Sequence, residues 1–96
     1  MKYCLGLLTV ELHLAENHSL KGKRSVLNSL KERIRSRFNV SVSEADMGNV
    51  WQSGGLIISG AGSSPAHVEE SLRSVLSFIE NDPRVQVLSP QIRFYE

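Results

Sequence analysis

The chain has 96 residues, 41% hydrophobic and 22% charged, which is ordinary globular usage and excludes disordered, collagen-like and low-complexity classes. At this length one core is expected, in a single domain spanning 1–96. A net charge of +1 singles out no class of partner, and a lone cysteine excludes an intrachain disulfide and a cysteine-based zinc cluster.

The first segment, Met1 to Val10, has the apolar look of an export signal. The run stops at Glu11, no small-x-small cleavage site follows, and it is far short of the ~20 residues that cross a bilayer. A buried strand over 3–14 explains it better, with the cytoplasm as the expected compartment and no membrane partner. Its even positions are Cys4, Gly6, Leu8, Val10, Leu12 and Leu14, and its odd positions mix Tyr3, Leu5 and Leu7 with Thr9, Glu11 and His13. Side chains alternate across a strand, so the even face is expected in the core and the odd face partly open.

Asn17-His18-Ser19 reads as a turn and helix cap. A helix over 20–38 follows, with Leu20, Leu27, Leu30, Ile34 and Phe38 on one side. Val40 to Ala45 alternates as a second strand. Met47-Gly48-Asn49 reads as a turn and Ser53-Gly54-Gly55 as flexible chain. Leu56 to Ser59 is a short buried strand that Gly60-Ala61-Gly62 releases. Ser63-Ser64-Pro65 opens a second helix, whose stripe is Val68, Leu72, Val75, Leu76 and Ile79, and Asn81-Asp82-Pro83 ends it. Val85 to Leu88 is the last main strand, with Pro90 limiting its pairing and Ile92 to Phe94 extending it after a break.

The order strand-helix-strand-strand-helix-strand predicts an α+β, ferredoxin-like βαββαβ sandwich: a four-stranded antiparallel sheet with both helices on one face.

The charge is distributed unevenly. Residues 20–38 hold seven cations, Lys21, Lys23, Arg24, Lys31, Arg33, Arg35 and Arg37, and one acid, Glu32. Their local net of +6 against +1 overall leaves −5 for the rest. At ~100° per residue, Lys21, Arg24, Lys31 and Arg35 form one ridge roughly 21 Å long, with Arg33 and Arg37 on the opposite flank. Lys21, Lys23 and Arg24 crowd a helix start that prefers acids. A bound phosphate would resolve that conflict, and so would lysines that turn away and pair elsewhere. Lys21, Lys23, Arg24, Lys31 and Arg35 are therefore the candidate nucleic-acid or anion contacts.

No reactive constellation stands out. Glu11 and His13 share the odd face, and Glu44 is a third group that could join them around a metal or a proton, but solvated sheet polarity accounts for them more simply. Cys4 lies on the apolar face as inert packing. There is no nucleophile elbow or Walker loop, so the chain reads as non-catalytic, with no cofactor and no metal. Trp51 could stack a base, anchor a partner or seal one end of the core, and the last is the expectation. Tyr3, Leu5, Leu7 and Trp51 are the candidate partner contacts. The sheet lacks the aromatic signature of an RNA-recognition motif, so nucleic-acid contact is expected mainly at the backbone.

Three segments, Ser19-Leu20-Lys21-Gly22-Lys23-Arg24, Arg37 through Glu44, and Val50-Trp51-Gln52, together with Asp82-Pro83, resemble the YlxP-like family of small bacterial proteins. The resemblance runs through nearly the whole chain. It implies a ferredoxin-like fold and no established activity. It also implies a link to translation, because genes of the family lie near those of initiation factor 2 and ribosome-binding factor A. Two functional expectations follow: association with RNA or ribosomal particles through the first helix, or a homo-oligomeric or interaction module using the open sheet face.

Overall fold

The computed structural model describes residues 1–96. The elements are β1 (Cys4–His13), α1 (Leu20–Arg37), β2 (Ser41–Glu44), β3 (Ser53–Gly62), α2 (Pro65–Glu80) and β4 (Gln86–Tyr95). The strands form one sheet in the order β2-β3-β1-β4, and every neighbouring pair is antiparallel. This is the ferredoxin-like arrangement that the element order predicts.

The alternation in β1 decides which face is covered. Cys4, Gly6, Leu8, Val10 and Leu12 are buried, whereas Leu5 and Glu11 are exposed. Both helices lie on the even face. A Cβ on Gly54 would stand 3.2 Å from Leu27 of α1, and one on Gly6 would collide with Val68 and Leu72 of α2. Leu27, Leu30 and Ile34 thus meet Val68, Leu72, Val75 and Ile79 over Leu8, Leu12, Leu56 and Ile58 in one core.

Both helices start as their sequences suggest. The Ser19 hydroxyl accepts from Gly22 N at 2.9 Å, and the Ser64 hydroxyl accepts from His67 N at 3.3 Å ahead of Pro65. Each bond satisfies one of the amides that a helix start leaves without an internal partner.

Two strands differ from expectation. β3 is longer than Leu56 to Ser59. It pairs with β1 along its whole length, from His13↔Ser53 to Cys4↔Gly62, so the glycines at both ends are ladder residues and not loops. Gly62 belongs there because a Cβ would sit 2.9 Å from Val68. β4 runs without interruption through Pro90. Thr9 pairs with Gln91 and Glu11 with Leu88, so the chain bulges at Ser89-Pro90, where Ser89 takes a φ of 49°. On an edge strand that bulge accommodates a proline without breaking the sheet. No helix is long and apolar enough to cross a membrane.

Candidate nucleic-acid interface

The seven cations of α1 divide into three groups once packing is considered. The first is Lys23, one turn before Leu27 on the buried stripe and only 8% exposed. Its ammonium donates to the carbonyls of Val50 (3.0 Å) and Gly48 (3.3 Å). An ammonium withdrawn from water is tolerated only with such partners. The Lys23 ammonium is thus committed to the carbonyls of the 48–50 turn, which answer its share of the charge conflict at the helix start. A stripe of 23, 27, 30 and 34 at spacings of four, three and four carries that signal in the sequence.

The second group faces β2. Arg24 and Lys31 both donate to the Glu44 carboxylate, and Arg35 donates to Val42 O at 2.8 Å. Partial burial pushes the Glu44 carboxyl up, but the hydrogen bonds from Arg24 and Lys31 outweigh it and hold the group below its ordinary value. Glu44 pairs with Leu56, on the helix-bearing face. It does not join Glu11 and His13, which occupy the other face, and no group of three or more metal-ligating side chains is assembled. Two cations sharing one carboxylate keep a net positive charge, but their positions are set by β2. Reversing both charges would bring three carboxylates to one point, so such a variant would lose stability as well as any ligand.

The third group keeps its charge at the surface. Lys21 is exposed in the first turn and makes no ion pair. Arg33 and Arg37 stand with their guanidinium carbons 5.3 and 4.9 Å from the centre of the Phe78 ring, and Arg33 approaches Asp82 only at 3.9 Å. An aromatic face holds a guanidinium in place without neutralising it. The ridge of Lys21, Arg24, Lys31 and Arg35 thus exists as a line along α1, but its middle members are tied to Glu44. The opposite flank, Arg33 and Arg37, is the less neutralised one.

Trp51 does not seal the core. It is 51% exposed, beside an exposed Val50, at the end of the molecule where α1 begins. On the uncovered sheet face Tyr3, Leu5 and Tyr95 are exposed and Leu7 is half-buried. Leu5 pairs with both Ala61 and Tyr95, which gathers these apolar groups at one end of that face. Cys4 is fully buried, and burial pushes its thiol up, away from the reactive thiolate.

The comparisons with known proteins bear on the whole of this architecture. A family model described as a protein of unknown function, DUF503, matches residues 5–92. An uncharacterised protein YlxP of Bacillus subtilis (strain 168) is 34% identical over 82 residues, which cover 85% of this chain and 89% of that protein. The matched stretch runs from β1 into β4 and includes every residue of α1 and of the turn that Lys23 holds, so the chain belongs to the DUF503, YlxP-like family.

Proposed function

We propose that this protein is a non-catalytic, cytoplasmic RNA- or ribosome-associated protein that lays the outer surface of α1 against nucleic-acid phosphates. The observation that carries this reading is the charge left on α1 after internal pairing. Lys21, Arg35 and Arg37 are exposed and have no carboxylate partner, and Glu32 is the one acid on the helix. Arg24 and Lys31 add to the positive field because Glu44 cancels only one of them. Phosphate contacts of this kind give affinity through counterion release and little sequence preference.

The test is RNA binding by the parent and by a Lys21→Ala/Arg35→Ala/Arg37→Ala variant, which leaves the Glu44 cluster intact. If each side chain neutralises one phosphate, the variant binds single-stranded RNA on the order of 100-fold more weakly at about 0.1 M salt. Losing the Arg35 bond to Val42 O and the Arg37 contact with Phe78 costs about 1–2 kcal/mol in all, so binding is compared below the thermal transition of both proteins, where the variant is folded. Equal binding by the two proteins overturns the reading.

A second reading rests on the sheet. Leu5 at 50% and Tyr95 at 52% exposure line, with Leu7, a shallow cavity of about 660 Å³, and Tyr3 is exposed as well. Exposed apolar groups gathered in this way suit an interaction or homo-oligomeric module. Sedimentation at high concentration separates the versions: a strict monomer removes the homo-oligomer.

A further inference from the structure

A cavity of about 480 Å³ lies between the Asn17-His18 bend and the 49–52 turn, lined by Asn17, His18, Asn49, Val50, Trp51 and Gln52. The backbone that presents Trp51 is held from several sides. Lys23 donates to the carbonyls of Gly48 and Val50, and Asn17 Nδ2 donates to Trp51 O at 2.6 Å and to Ser19 O at 2.8 Å. Leu14 N donates to Gln52 O at 2.9 Å. A buried lysine and an asparagine are thus committed to fixing a turn whose own large side chains, Val50 and Trp51, point into solvent. A turn serving only the core would turn those side chains inward. An outward aromatic on a backbone held in this way is instead pre-organised for a ligand, because little backbone ordering remains to be done on binding.

The lining states the ligand's chemistry. Besides Asn17, whose amide nitrogen holds the turn, it offers one indole face, the carboxamides of Asn49 and Gln52 and an imidazole, with no carboxylate and only Val50 as an aliphatic neighbour. A protein anchor is better served by a more apolar surround. A flat aromatic ring with polar edges matches this set, and the cavity adjoins the first turn of α1, since Asn17 lies against Gly22. We infer that Trp51 stacks an unpaired nucleobase of single-stranded RNA, with the Asn49 and Gln52 amides at the base's edge. This site rests on the reading of the chain as an RNA-associated protein, and it adds a base contact to the backbone contacts of α1.

Trp51 is the only tryptophan in the chain, so indole fluorescence reports on this site alone. The probe is a short end-labelled oligouridylate, with an RNA duplex of equal length as control. The single strand quenches Trp51 emission to saturation, while the duplex leaves it unchanged. By label anisotropy, Trp51→Ala weakens the single strand about fivefold to over a hundredfold, and Trp51→Phe retains most of the affinity. Lys21→Ala/Arg35→Ala/Arg37→Ala weakens binding yet leaves the quenching at saturation intact. If the oligouridylate binds without quenching and Trp51→Ala binds as tightly as the parent, the base site is wrong and the α1 reading survives. If the labelled strand does not bind the parent even at low salt, both fail. Quenching by a partner protein but not by RNA also overturns the base site.

Discussion

Replacing Gly6 by valine is expected to lower the unfolding free energy by about 3 kcal/mol. Gly6 lies on the covered face of β1, an inner strand of the sheet, paired with Gly60 on one side and Phe94 on the other. A Cβ there would stand 2.5 Å from Val68 Cγ1 and 2.7 Å from Leu72 Cδ1, both fully packed side chains of α2. α2 would have to lift from the sheet, and the core it seals over Leu8 and Ile58 would open. A domain of this size has about 5–15 kcal/mol in all, so the loss is a large share. Gly60→Ala is the control. Its Cβ meets Val40 and Leu72 at 3.6 and 3.8 Å, ordinary contact, and the cost should be under about 0.5 kcal/mol. Urea unfolding reads both, as a shifted midpoint at unchanged slope. Equal midpoints for Gly6→Val and Gly60→Ala would contradict the packing of α2 described here.

The second large effect is at Asp82, which is buried where α2 gives way to β4. Its carboxylate accepts from Arg84 N (2.9 Å), Nε (3.0 Å) and Nη2 (2.7 Å), and Arg84 reaches on to the Ser29 hydroxyl of α1 at 3.2 Å. One carboxylate thereby orders the connection and ties it to the other helix. Asp82→Ala leaves three donors without their acceptor. Arg84 keeps partial access to water, so the expected loss is about 2–3 kcal/mol, below the range for fully buried pairs. The same contacts set an acid dependence. The hydrogen bond from Arg84 holds the Asp82 carboxyl below its ordinary value, against an opposing push from burial. A lowered folded-state pKa stabilises the protein above the unfolded value of about 3.9, and that stability disappears as the pH falls through the folded value. Glu44, lowered by Arg24 and Lys31, acts with the same sign. Asp82→Asn should therefore flatten the acid limb in part and leave the share due to Glu44. Unfolding measured from roughly pH 6 to pH 2 tests this, and an unchanged acid limb in Asp82→Asn would count against it.

Much of the fold is legible in the residues because its forces are local and periodic. The even positions of β1 and the stripes Leu27-Leu30-Ile34 and Val68-Leu72-Val75-Ile79 repeat at the spacings of their elements, and Ser19 and Ser64-Pro65 mark both helix starts. The ends of β3 are not legible, because Gly54, Gly60 and Gly62 read as loop residues until the helices above them are known. Pro90 likewise reads as a strand stop until β4 is seen to be an edge with a bulge.

The candidate site is legible in its composition and not in its wiring. The crowding of cations on α1 is plain in the sequence. That Arg24 and Lys31 share Glu44 depends on contacts 20 and 13 residues away, across a helix-to-strand packing that no spacing encodes. Lys23 is the instructive case: its charge suggests solvent, whereas its place on the apolar stripe suggests burial, and the stripe wins because the carbonyls of Gly48 and Val50 are there to receive it. Trp51 fails in the opposite direction, since a large aromatic defaults to the core unless its turn is held outward by others.

The most direct measurement is a salt titration of single-stranded RNA binding by the parent and by Lys21→Ala/Arg35→Ala/Arg37→Ala. If three phosphates are neutralised, the logarithm of the parent's binding constant falls against the logarithm of salt with a slope of about −2, and the variant's slope is shallower by about that amount. A parent slope near zero, or the same slope in both proteins, would contradict a role for the outer surface of α1 in holding nucleic acid.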